Sequence, residues 1–195
     1  MPLWGATDSD ESKPKNLTTA EKKEVFANSS GWVREAGSAL TGNDNTSATP
    51  EVLVAIGGLT TSLGAADITE IEFVTTAFDK SDGGNIDVLV RFNEAVDVTG
   101  TPRVSITNGN QGSGSGRGPH LANYLSGTGT NELTFRCTIA AANAATNAND
   151  VLTIGTNALS QNGGSTIKDA GTNTASTITN SASIGTAAGS ITVTA

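Results

Sequence analysis

From Ile68 onward apolar and polar residues alternate with period two, the spacing at which successive side chains of a strand point to opposite faces. Ile71 and Phe73 alternate with Glu70, Glu72 and Val74, and Ile86, Val88, Val90 and Phe92 alternate with Asp87, Leu89 and Arg91. Both runs read as half-buried strands. Between them Ser81-Asp82-Gly83-Gly84-Asn85 supplies residues that tolerate the positive φ of a hairpin or wide turn. Val104 and Ile106 mark a strand over 103–107, and another covers 121–125. Over 132–139, Leu133, Phe135, Cys137 and Ile139 face inward and Thr134, Arg136 and Thr138 outward. Runs at 151–154, 165–168 and 191–194 complete about eight short strands, a spacing that fits a β-sandwich with Greek-key links. The stretch Gly109–Gly118 is a Gly/Ser loop, and 176–195 either closes the sandwich or pairs with another subunit's edge.

The pattern before residue 67 is different. Residues 1–17 read as an extended arm, with Pro2 and Pro14 blocking regular structure and Leu3 and Trp4 as its large apolar groups. Thr18-Thr19-Ala20-Glu21 fits a capping box and predicts a short helix over 19–27, whose apolar face holds only Val25 and Phe26. Strands are expected near 32–36 and 51–56, joined as a hairpin around the polar turn at 41–49. Residues 57–66, rich in small side chains, read as a linker. The expected organisation is thus an all-β chain: an N-terminal docking segment over 1–66 and an immunoglobulin-like sandwich over 67–195.

Composition supports strands over helices and narrows the partners. Only 4% of residues are aromatic and 15% charged, against about 25% charged in an ordinary globular protein. The formal net charge is −8, and the compact basic cluster is Lys13, Lys15, Lys22 and Lys23. That is too little positive surface for a phosphate-neutralising face, so no nucleic-acid partner is expected. No run approaches the ~20 apolar residues of a membrane helix, so no membrane partner is expected either. A single cysteine, Cys137, excludes an intramolecular disulfide framework. The opening MPLWGATDSDESKPK has acidic residues and prolines where a secretion signal needs a basic and then an apolar run, so synthesis and assembly in a cytoplasm are expected.

Three stretches resemble the bacterial immunoglobulin-like repeats of large surface adhesins and phage virion proteins. They are Val90 to Pro102 (VRFNEAVDVTGTP), Tyr124 to Phe135 (YLSGTGTNELTF) and Asn162 to Gly171 (NGGSTIKDAG). Such domains serve spacing, adhesion and decoration alike, so this resemblance implies a fold before a role. The front of the chain carries a second resemblance through Met1-Pro2-Leu3-Trp4-Gly5, Lys13-Pro14-Lys15, the 19–26 stretch, Gly31-Trp32-Val33 and Glu51 to Gly57. These are similar to the opening of virion structural proteins of marine tailed phages, especially cyanophages. The resemblance implies a non-enzymatic component of a phage particle, decorating or cementing the head, with other virion proteins, above all the major capsid protein, as partners and self-association as a further option. A neck or tail whisker-like component and a carbohydrate-binding adhesion module are the alternatives.

Candidate chemistry is sparse. His120, the only histidine, follows Gly118-Pro119 with no nucleophile motif nearby and reads as an exposed loop residue rather than a base. Cys137 shares the register of Leu133, Phe135 and Ile139 and reads as a small buried hydrophobe. Asp79, Asp82, Asp87, Asp97, Asp150 and Asp169 are the only groups that could offer oxygens to calcium, but their spacing matches no EF-hand loop and turn formation explains them. No cofactor or catalytic residue is expected. Gly112 to Gly118 lacks the Lys-Ser/Thr ending of a phosphate loop. Leu3, Trp4, Trp32 and Val33 are the expected partner-docking residues, because apolar groups in a segment too short for its own core suit a partner's groove. For Trp32 the competing expectation is local packing against Val25, Phe26 and Val54.

Overall fold

The computed structural model describes residues 13–14, 17–38, 40, 44–109 and 118–195. The chain is mostly β, with 49% of residues in strands and 9% in helix. Its elements in order are α1 (Thr19–Lys23), β1 (Val25–Asn28), β2 (Gly31–Arg34), β3 (Glu51–Ala55), α2 (Leu59–Ser62), β4 (Ile68–Phe73), β5 (Phe78–Asp79), β6 (Gly84–Thr99), β7 (Arg103–Gly109), β8 (His120–Ser126), β9 (Thr130–Ile139), β10 (Val151–Ser160), β11 (Thr166–Asp169), α3 (Ala182–Ala187) and β12 (Ser190–Thr194).

These strands join in one mixed sheet of order β3-β2-β1-β6-β9-β8-β7-β10-β12-β5, with β4 and β11 also paired to β6. Pairings are antiparallel except β1 with β6 and β12 with β5. The inward sets expected from alternation are buried: Ile86, Val88, Val90 and Phe92 on β6, Val104 and Ile106 on β7, and Leu133, Phe135, Cys137 and Ile139 on β9. Together with Phe78, Ile167, Ile191 and others they make one core drawn from β4 through β12. Strands far apart in the sheet order share that core, so the sheet curls over it. The C-terminal question resolves within the chain, because β12 pairs with β10 through Val151↔Thr192 and Leu152↔Ile191.

The sixteen-residue β6 carries the fold. Its first half pairs with β4 on one edge and β9 on the other, and its last four residues pair with β11. The register with β9 jumps between Arg91 and Val96, and in that interval Ala27 of β1 meets Glu94 in parallel. The register of β4 against β6 also slips, between Ile68 and Glu70. That slip takes Glu70 out of the expected outward set and buries it beside Ile71.

Several boundaries depart from expectation for local reasons. The capping box forms as expected, Thr18 Oγ1 accepting from the Glu21 amide at 3.3 Å and Glu21 Oε2 accepting from the Thr18 amide at 2.8 Å. The helix nevertheless stops at Lys23 instead of reaching 27, because Val25 and Phe26 pair with Arg34 and Val33 as a strand. β-branched and aromatic residues favour that state, and a two-turn helix cannot compete with a hairpin partner. The hairpin of β2 and β3 forms, bulged between Trp32 and Val33. It starts at Gly31, φ +134°, where an added Cβ would lie 2.0 Å from the Val54 carbonyl oxygen. The stretch read as a linker contains α2, with Leu59 and Leu63 buried. Helix α3 was not expected, and it packs on β10 and β4. It approaches closely because Gly185 carries no side chain: a Cβ there would sit 2.7 Å from the Ile154 carbonyl oxygen.

Candidate functional site

The front segment meets the body of the sheet at a polar junction. Val25, Ala27, Trp32, Leu59 and Leu63 form a second buried cluster, with Leu17, Leu53, Val54 and Ile56 packed against it. This cluster is separate from the core of the body. Trp32 and Val33 are 0% exposed within the chain itself. The expectation that they anchor a partner is therefore corrected for both: their apolar surface is already covered, for Trp32 by the local packing that was the competing reading. Leu3 and Trp4, the other expected docking residues, lie outside the described residues.

Between the two clusters lies a band of charge built around Arg91 of β6. Its Nη1 bonds Glu70 Oε2 at 3.1 Å and Glu72 Oε1 at 2.9 Å, and its Nε bonds Glu132 Oε1 at 2.6 Å. Glu35, which follows β2, stands 4.0 Å from Arg91 Nε and accepts from Asn131 Nδ2 at 3.2 Å. From the front segment Lys23 pairs with Glu70, and Lys13, 7% exposed, donates to the Lys22 carbonyl. Arg34 ties the segment internally to Glu21 at 3.1 Å.

This crowding displaces the protonation equilibria. Burial, reinforced by the neighbouring Glu132 carboxylate, pushes Glu35 up to about 7. Burial pulls Lys13 down to about 8, opposed by the negative charges of Glu70 and Glu35. Burial opposes the charge of Arg91, but Glu132, Glu72 and Glu35 outweigh it and the guanidinium is held more firmly protonated than usual. Two clefts flank the band. One of about 640 Å³ lies between α1, β4 and α3 and is lined by Lys13, Lys22, Lys23, Ile68 and Ile184 among others. The second, about 430 Å³, is lined by Phe26, Glu35, Pro50, Asn131 and Glu132. In the first, Lys13 and Lys23 are bonded to protein groups.

The remaining candidates find structural partners. His120 is not an exposed loop residue: it opens β8, is 9% exposed, and its Nε2 lies 3.1 Å from Thr146 Oγ1. Burial holds its pKa below the usual value, with Asp150 pulling the other way. Sequence alternation alone reveals this placement, since His120 and Ala122 share the inward face of β8. Cys137 is buried as expected, and burial pushes its thiol up.

Four of the six aspartates do turn or pairing work. Asp79 accepts from the Ser81 amide at 2.7 Å, Asp150 from the Asn147 amide at 2.8 Å and Asp169 from the Thr172 amide at 2.6 Å. Asp87 and Arg136 form a two-pronged pair at 2.6 and 2.7 Å. No group of three or more His, Cys, Asp or Glu side chains with metal-binding geometry occurs among the described residues. Residues 110–117 of the Gly/Ser loop, and with them most of the rejected phosphate loop, lie outside the described residues. The residue that sequence reasoning missed is Arg91. Its signal in sequence was a cation on the outward side of a strand; in the fold Glu70 of β4 and Glu132 of β9 stand opposite it. No protein-family model matches the chain, and neither the curated proteins nor the solved structures contain a match to it.

Proposed function

We propose that the chain is a non-enzymatic structural component of a tailed-phage particle, decorating or cementing the head, attached through its front segment and displaying the body of the sheet as an immunoglobulin-like sandwich. The observation that carries the reading is the pairing of the virion-like opening, from Met1-Pro2-Leu3-Trp4-Gly5 to Glu51–Gly57, with a front unit that keeps a small core of its own beside the main one. The sandwich assignment draws support from a single core shared by strands β4 to β12 and from long pairings within a curled sheet.

The attachment surface then differs from the first expectation. With Trp32 and Val33 covered, the docking role passes to the arm bearing Leu3 and Trp4, and to β3, which ends the sheet order and exposes Val52 at 49%. Deletion of residues 1–12 tests this. Particles assembled with the shortened chain lose it while the purified chain keeps its melting temperature. Stoichiometric retention of the shortened chain on particles defeats the reading. Deleting 1–30 is the poorer experiment, because it removes β1 and opens the cluster around Trp32.

Copy number divides head from neck or tail, hundreds per particle against a dozen or fewer. The adhesion alternative weakens on one detail. Tyr124, the sole tyrosine, stands edge-on to Phe135 with ring centroids 6.0 Å apart and accepts from the Thr128 amide at 2.8 Å, so its ring is engaged within the chain instead of forming a flat stacking platform.

A further inference from the structure

We propose that residues 13–63 form a releasable clasp, held on the body of the sheet by the charged band and one strand contact instead of a shared apolar core. The two buried clusters have no member in common. The strand contact is one registered pair, Ala27↔Glu94. Among the described residues, the side-chain pairs that cross the junction are Lys23 to Glu70 and Glu35 to Arg91 and Asn131, and beside them Thr60 approaches Gly171 closely enough that a Cβ on Gly171 would lie 2.6 Å from the Thr60 carbonyl oxygen.

A joint of this kind sits near energetic balance. Charges brought together out of water lose hydration about as fast as they gain attraction, so the net hold is far weaker than the same area of apolar contact. Its parting surfaces are also tolerant of water. Separation exposes Glu70, Asn93, Glu94 and Asn131 on the body, all polar and now buried, and leaves each apolar cluster intact. An apolar interface parted in the same way would expose surface liable to aggregate.

Charge also gives the joint its control. Around Glu35 stand Glu24 of its own segment, Glu132 and Asn131 of β9, and Arg91 of β6; around Lys13 stand Lys22, Glu35, Arg91 and Glu70 of β4. Glu35 titrates near 7 when docked, above the ordinary carboxylate range, so docking weakens as pH rises towards 7. Lys13 titrates near 8 when docked, below the ordinary amine range, so its penalty is full below about 8 and fades above it. Hold is therefore weakest between about 7 and 8, where both groups are charged against their burial. Added salt screens the attractive pairs and loosens it further.

Spin labels at Ser47 and Thr138, both exposed, report the opening in the full chain with Cys137 replaced by serine. The expected result is one short distance at pH 5.5 and low salt, and a second, longer population that grows at least about three-fold at pH 7.5 in roughly 1 M NaCl. Arg91→Met raises the long population at low salt and removes most of its salt dependence. If that variant fails to fold, Lys23→Met serves, since Lys23 is half-exposed and lies outside both cores. A single short distance, unmoved by salt and pH in the native chain, overturns the proposal.

Discussion

The two buried clusters of this chain solve the same problem with unequal means. The body buries a large continuous set, from Ala66 to Val193, drawn from nine strands in regular alternation. The front unit buries Val25, Ala27, Trp32, Leu59 and Leu63, taken from both ends of the segment, with a single large aromatic at the centre. Regular alternation makes a core redundant: the loss of one side chain leaves many others in place. A cluster of five buried side chains centred on one tryptophan, with Leu17, Leu53, Val54 and Ile56 packed against it, has a smaller reserve. The comparison teaches that one sheet can carry two buried clusters of very different size, the smaller one resting on fewer residues.

That contrast can be broken at either end. Phe135→Ala removes a fully buried ring from the middle of β9 and should cost about 4–5 kcal/mol. The melting temperature of the whole chain falls, with hydrogen exchange rising in β6, β8 and β9 together. Trp32→Ala should cost about 3–4 kcal/mol, less because the small cluster can collapse around the gap. Its effect is confined: exchange rises across 25–34 and 51–63 while 84–92 and 132–139 keep their protection. Uniform loss of protection in that variant would merge the two units into one.

Charge sharpens the comparison by smaller steps. Glu35→Gln removes a carboxyl whose neutral form the fold prefers, so it should strengthen the front unit by about 1–2 kcal/mol at pH 8. The advantage shrinks as pH falls through about 7 and vanishes in the ordinary carboxylate range, because the native residue is then protonated too. Urea unfolding followed at pH 5 and pH 8 measures the difference. Thr18→Ala removes the helix cap and should cost about 0.5 kcal/mol, at the low end for a cap because α1 is five residues long and buries none of them.

The body was legible because a period of two leaves few choices. Once Ile86, Val88, Val90 and Phe92 face one way, register follows from the hydrophobic set. Legibility failed where pairing slips. The slip beside Glu70 buries a carboxylate that alternation places outside, and only the nearby Arg91 and Lys23 make that tolerable. The front unit was harder for a related reason. Val25 and Phe26 looked like the apolar face of a helix, and the partner that turns them into a strand lies on β2. Leu59 and Leu63 sat among glycines and small residues that read as linker, and the cluster they complete is visible only in space. The candidate site suffered most: Val25 and Ala27 lie near Trp32 in sequence, but Leu59 and Leu63, which complete its cover, come from the far end of the segment.

The long strand β6 has a mechanical consequence. It is gripped on both edges, by β9 along 84–91 and by β4 and then β11 on the opposite side. A pull on the front segment enters this beam at one rung, Ala27 to Glu94, midway along its length, and through the chain itself, which runs on from α2 into β4. Tension is then spread into three neighbouring strands before any of them carries it alone. With the rung parted, the load passes along the chain into β4, which is paired to the same beam along 88–92.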